Sequence, residues 1–131
     1  MSSGIHHPDE GREYYSTEGC HIMESWNDLA DPSASIARAR VAPAMTTRWH
    51  VLSGVTERYL IISGEGRAEV GEETPETVTE GDLVIIPPGV RQRIANTGNT
   101  DLVFYAICTP RFTPDCYRDL EARSLPPSTA P

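Results

Sequence analysis

Apolar and polar positions alternate along much of the chain, in short segments separated by turn-forming residues. Ile36, Arg38 and Arg40 fall on one face of an extended segment, and the residues between them fall on the other. A period of two is typical of a β-strand whose faces meet different surroundings. The pattern predicts eight or nine short strands, at residues 20–26, 36–41, 46–52, 56–62, 67–70, 77–79, 83–86, 91–95 and 102–109.

Turn-forming residues separate these segments at intervals of about ten residues. Pro87, Pro88 and Gly89 end one apolar strand, and residues 96–101 are a run of turn formers between the last two strands. Many short strands at this spacing are typical of a β-sandwich or a closed barrel. The sequence therefore predicts an all-β fold.

The two ends of the chain have a different composition from the middle. Residues 1–18 are polar and charged, which predicts an arm with little order of its own. This arm and the first strand together make up an N-terminal region of residues 1–35. Residues 36–110 hold the remaining strands. Thr113, Pro114 and Asp115 have the character of a helix start. Residues 111–131 are therefore expected to form a short helix, reaching about Arg123, and a proline-rich tail.

Composition and charge narrow the possible functions. The chain has 131 residues, enough for one domain, and a net charge of −8, which argues against nucleic acid and anionic membrane surfaces as partners. The longest apolar run, residues 102–108, is too short to cross a membrane, and the N-terminus does not resemble a signal peptide. The three cysteines lack CxxC spacing and are expected to be reduced. These features predict a soluble, cytoplasmic protein.

One set of spacings resembles the first motif of the cupin family. That motif has a glycine, then two histidines, a glutamate and a second glycine at fixed intervals. Here Ala44 stands at the first glycine position, five residues precede His50, and six residues separate Glu57 from Gly64. The position of the second histidine is occupied by Leu52.

A second set of spacings resembles the other cupin motif more closely. Gly81, Pro87, Gly89 and Asn96 all stand at the family's intervals, and Gln92 occupies the position of the motif's histidine. The resemblance covers about residues 36–110. It implies the cupin double-stranded β-helix, a jelly-roll barrel, for these residues.

The resemblance also implies a metal site inside the barrel. The family's four ligand positions carry His50, Leu52, Glu57 and Gln92 in this chain. A divalent transition metal (Mn, Fe, Ni or Zn) would then be held by His50, Glu57 and Gln92, since Leu52 offers no donor atom. The residues themselves leave two alternatives open. These are a metal-free pocket, and a buried, hydrogen-bonded pair of His50 and Glu57.

The candidate catalytic residues are His50 and Glu57, together with Tyr59 and Arg48. Arg48 lies two positions before His50, and Tyr59 lies two positions after Glu57, so each is expected on the same strand face as its neighbour. Arg48 is a candidate for holding a substrate carboxylate or phosphate, with a surface ion pair as the alternative. Tyr59 is a candidate acid, with a core aromatic as the alternative.

Three functions follow as hypotheses. The first, implied by the resemblance, is a small metalloenzyme of the dioxygenase, isomerase, lyase or cyclase type, acting on a carbonyl or enolic substrate. The second is a metal-free enzyme that uses His50 and Glu57 as an acid–base pair. The third is a protein that binds a small ligand without turnover. A homodimer is also expected, with residues 20–26 crossing to the partner's sheet.

Overall fold

The computed structural model describes residues 1–121, which form two antiparallel β-sheets. The first sheet has the order β1-β2-β3-β10-β5-β8 and the second has the order β11-β4-β9-β6-β7. The strands are β1 (Tyr14–Tyr15), β2 (His21–Trp26), β3 (Ser35–Val41), β4 (His50–Leu52), β5 (Thr56–Ser63), β6 (Gly66–Val70), β7 (Glu76–Val78), β8 (Leu83–Ile86), β9 (Gln92–Asn96), β10 (Leu102–Thr109) and β11 (Tyr117–Asp119).

The all-β prediction is confirmed, because helix is limited to two short 3-10 segments within the described residues, at Glu10–Arg12 and Pro114–Cys116. Within residues 1–121, no helix has the length and apolar character that a membrane crossing requires. Nine of the eleven strands coincide with predicted segments. The predicted strand at residues 46–52 is shorter than expected, since β4 begins at His50 and Thr46 makes an isolated bridge to Ala95.

The core lies between the two sheets and explains the alternating sequence pattern. Ile94 on the second sheet is fully buried, as are Leu102 and Val41 on the first. Along β5, the alternate positions Glu57, Tyr59 and Ile61 are buried. Along β9, Gln92, Ile94 and Asn96 are buried in the same way. Since residues two apart on a strand share a face, this alternation carries polar side chains inward together with the apolar ones.

One turn depends on a glycine. Gly64 follows β5 with a φ of 89°, and a Cβ atom there would lie 2.6 Å from the carbonyl oxygen of Asp101. Both the left-handed backbone and this close approach require a residue without a side chain. The glycine at the end of the first motif is therefore a folding residue.

The predicted C-terminal helix ends after a single turn. It begins where expected, with Thr113 at the N-cap and Pro114 in the first turn, but helical structure stops at Cys116. The chain then extends as β11, which pairs with β4. Pairing with the free edge of β4 and burial of Cys116 beside Leu52 stabilise the extended form over a solvated helix. The last residues of the expected helix and the proline-rich tail, residues 122–131, lie outside the described residues.

The N-terminal arm takes its order from the barrel. Tyr14 and Tyr15 pair with β2, and the carboxylate of Glu13 binds the guanidinium group of Arg40 with an N–O distance of 2.8 Å. Composition predicted little order because the segment has few apolar residues, yet backbone pairing and ion pairs hold it in place. The strand expected to reach a partner, β2, pairs with β1 and β3 of the same chain. The homodimer stays a prediction.

Candidate functional site

A cavity of about 410 Å³ lies between the N-terminal arm and the inner face of the first sheet. Its buried end is formed by Glu57 and Tyr59 from β5 and by Phe104 and Cys108 from β10. Residues 14–18 of the arm form the facing wall. A cavity of this size that opens to solvent can hold a small organic molecule.

The carboxyl group of Glu57 is held by two neutral donors. The amide nitrogen of Gln92 donates to Glu57 Oε1 at 2.7 Å, and the thiol of Cys108 donates to Oε2 at 3.7 Å. The hydroxyl of Tyr59 donates to the amide oxygen of Gln92. The sequence-predicted residues Glu57, Tyr59 and Gln92 therefore form one connected, buried chain of hydrogen bonds.

His50 lies beside this chain and pairs with a residue that the sequence did not indicate. It is the register partner of Gln92, but its Nε2 atom lies 3.1 Å from Glu18 Oε2 in the arm. The carbonyl oxygen of Arg48 lies 2.6 Å from His50 Nδ1. Since a carbonyl only accepts, Nδ1 carries a hydrogen. The other ring nitrogen of His50, Nε2, therefore has the carboxyl group of Glu18 as its polar partner.

Arg48 is placed away from the cavity. Its Nε atom donates to Asp119 Oδ2 on β11 at 2.8 Å, and it does not line the cavity wall. Asp119 reaches this position because β11 pairs with β4 just after Arg48. The surface ion-pair alternative describes this arginine better than a substrate-binding role.

Burial dominates the electrostatics of the site. It raises the pKa of Glu57 to about 7, helped by the charge of Glu18 and opposed by the hydrogen bond from Gln92. Burial likewise raises the pKa of Glu18, with His50 acting in the opposite direction. The pKa of Tyr59 lies well above its usual value for the same reason. A pKa of about 7 means that Glu57 exchanges its proton near neutral pH.

The arrangement of these donors does not fit a bound metal. Gln92 turns its amide nitrogen towards Glu57, and its oxygen accepts from Tyr59, so both ends of the amide are engaged by protein groups. His50 directs Nε2 at Glu18. Across residues 1–121, no group of three or more His, Cys, Asp and Glu side chains is placed to hold a metal ion. The metal site implied by the resemblance stays a prediction that this geometry does not support.

Two site residues were missed from the sequence, Glu18 and Cys108. Glu18 lies in a polar segment without strand periodicity, so its approach to His50 depends on the path of the arm. That path is fixed by backbone bonds, among them the one from the Arg48 amide to the carbonyl of Glu18 at 2.9 Å. Cys108 could have been found, because it lies on a predicted strand and faces the same interior as Phe104.

Comparison with known proteins agrees with this fold. The family model of the cupin domain matches residues 37–108. An oxalate-binding protein of Thermotoga maritima is 36% identical over 91 residues, which are 69% of this chain and 73% of that protein.

Solved structures show the same architecture. A protein of Klebsiella pneumoniae with a double-stranded β-helix domain superposes with a TM-score of 0.66 and 17% identity, covering 89% of this chain and 91% of that one. The nucleoside dehydratase Pac13 superposes with a TM-score of 0.70 and 19% identity, covering 92% and 95%. With the family model matching more than half of its length, the chain belongs to the cupin family, as its two motifs predicted.

Proposed function

We propose that this cupin is a metal-independent enzyme in which Glu57 transfers protons to and from a small organic substrate in the cavity. The observation that carries the proposal is the position of the Glu57 carboxyl group. It lines the cavity, and it is fixed there by hydrogen bonds from two neutral groups, Gln92 and Cys108.

The chemistry of Glu57 supports a role as general base and acid. Each carboxylate oxygen has two lone pairs, so the bonds from Gln92 and Cys108 leave acceptor capacity for a substrate proton. A pKa of about 7 lets the same group accept a proton and return it near neutral pH. This differs from the predicted acid–base pair of His50 and Glu57, because His50 is bonded to Glu18.

The reaction class that fits is proton abstraction from carbon. Glu57 would take a proton from a carbon next to a carbonyl group, and the electron pair would move to the carbonyl oxygen. Return of the proton to another carbon gives an isomerisation, and loss of a neighbouring group gives an elimination. Tyr59 bonds to Gln92, and Gln92 bonds to Glu57, so these two residues orient the carboxyl group of the base. Glu57 is the group that exchanges the proton with the substrate.

A second candidate function is ligand binding without turnover. It is favoured by the relative from Thermotoga maritima, which is named as an oxalate-binding protein. Both candidates place a small molecule in the cavity. They differ in whether the bound molecule is recovered unchanged.

A chromogenic carbon acid tests the proposal without knowledge of the substrate. A nitrobenzisoxazole releases a coloured cyanophenolate when a base removes its carbon-bound proton. In buffer containing a chelator, we expect the protein to accelerate this reaction, with a rate that rises with pH through about 7. Glu57→Gln is expected to lower the rate roughly tenfold or more, since a positioned base contributes at least this much.

Glu80→Gln is the matched control, because Glu80 is an exposed residue beside the turn at Gly81. Its rate should equal that of the parent. Equal rates for Glu57→Gln and the parent would refute Glu57 as the base. Acceleration that appears only after addition of Mn, Fe, Ni or Zn would favour the metalloenzyme hypothesis instead.

A further inference from the structure

The cavity wall combines aromatic rings with carboxyl groups. Six aromatic side chains line it, including Tyr14 at the open end and Phe104 at the buried end. Three glutamates also line it, Glu18, Glu24 and Glu57. Among the described residues that form this wall, none is a lysine, an arginine or a histidine.

The basic residues nearby lie outside this cavity wall. Arg12, His6 and His7 line a second cavity that shares Tyr14 and Glu24, and His50 contacts Glu18 from behind the wall. Arg40 binds Glu13 and Asp101, and Arg48 binds Asp119. A carboxylate entering the cavity would lose its water and find no lysine, arginine or histidine on the wall, which is costly for a buried charge. The same surroundings favour a ligand that is positively charged.

The open end of the cavity has the features of a cation site. Glu24 is exposed there on the same strand face as Tyr14, which pairs with Ile22 and is 53% exposed. The amide group of Asn27 donates to Glu24 Oε2 at 2.9 Å and holds this carboxylate in position. Aromatic faces beside a carboxylate attract an ammonium group through both the ring quadrupole and the opposite charge.

The cavity wall also contains an unused polar atom. The hydroxyl of Tyr117 is buried and has no hydrogen-bond partner within residues 1–121. Tyr117 stacks on His50 with 5.2 Å between ring centroids, which fixes its position. Because buried hydroxyl groups are normally paired, this one is a candidate partner for a ligand's polar atom.

We propose that the cavity binds an organic amine, with the ammonium group at Glu24 and Tyr14 and the apolar body directed inward towards Phe104. The proposal rests on the proposed function, since it places the body of the substrate beside Glu57. It also separates this chain from a protein that binds oxalate, because a dianion would meet three glutamates and no lysine, arginine or histidine on the cavity wall.

Four small molecules that differ in charge test the proposal. Phenethylamine, phenylethanol and phenylacetate share one ring and differ in charge, and oxalate is added because of the relative's name. Binding is measured by titration calorimetry and by the shift in Tm. We expect phenethylamine to bind about tenfold more tightly than phenylethanol, from combined cation–π and ion-pair contributions. Phenylacetate and oxalate should bind more weakly than the alcohol.

The variant Glu24→Gln separates charge recognition from shape. It should reduce the preference for the amine over the alcohol to about threefold or less, while Glu80→Gln should keep the full preference. Tighter binding of either acid than of the amine would overturn the proposal. So would an unchanged preference in Glu24→Gln, or no binding of any probe. Acid binding together with proton abstraction that depends on Glu57 would overturn this inference alone and leave the proposed function standing.

Discussion

Replacing Gln92 with leucine is expected to destabilise the protein by about 2–4 kcal/mol. Gln92 is 1% exposed and bonds two other buried groups, the carboxyl group of Glu57 and the hydroxyl of Tyr59. Leucine has a similar size but leaves the Tyr59 hydroxyl without a partner and Glu57 with only the weak bond from the Cys108 thiol. Each buried polar group that loses its partner costs about 1–3 kcal/mol, which the added apolar burial only partly offsets. Denaturant unfolding measures the difference.

Tyr59→Phe is the matched control for Gln92→Leu. It removes one hydroxyl group and keeps the ring, which packs on Phe104 with 4.3 Å between centroids. We expect a smaller loss, about 1–2 kcal/mol, because only the Gln92 oxygen loses its donor. The two losses should not add in the double variant, since both remove the same hydrogen bond. Additive losses would show that the two side chains act independently and would contradict the connected chain of bonds.

Glu57→Gln is expected to stabilise the protein at high pH and to have little effect at low pH. Glutamine keeps the shape of the protonated glutamic acid but cannot ionise. The pKa of Glu57 is about 7 in the folded protein against 4.5 as its usual value. The folded state therefore binds more protons than the unfolded chain between these two pH values, and the parent loses stability as pH rises through this window.

The size of this effect follows from the pKa difference. It corresponds to a stabilisation by Glu57→Gln on the order of 3 kcal/mol at about pH 8, which vanishes towards about pH 4.5. Unfolding curves of the parent and the variant at several pH values measure it, with Glu80→Gln as the exposed control. The groups that face Glu57, which are Glu18, His50, Tyr59 and Cys108, remain in both proteins. A stability difference that is independent of pH would refute the raised pKa.

Much of the barrel could be predicted because local rules and tertiary packing agree there. On β5 and β9, alternating burial carried Glu57, Tyr59 and Gln92 inward, so their meeting followed from strand period and motif spacing. The turn at Gly64 could be predicted because its positive φ is a backbone conformation that favours glycine. These features depend on neighbours along the chain.

The parts that could not be predicted depend on distant contacts. Thr113 and Pro114 do start a helical turn, but the extended path after Cys116 is set by the free edge of β4. The contact between Glu18 and His50 joins the arm to a strand 32 positions later, and no local pattern reports it. The metal prediction came from motif positions alone. Those positions do not show that the amide of Gln92 is hydrogen-bonded to both Glu57 and Tyr59.

Direct titration of the Glu57 carboxyl group tests the central claim. Carbon NMR of protein labelled at the glutamate carboxyl carbon, freed of metals with a chelator, would follow this group through pH, with Glu57→Gln assigning its resonance. We expect a midpoint near 7 that does not change when Mn or Zn is added back. A midpoint at or below about 4.5, or a resonance that responds to stoichiometric metal, would contradict it.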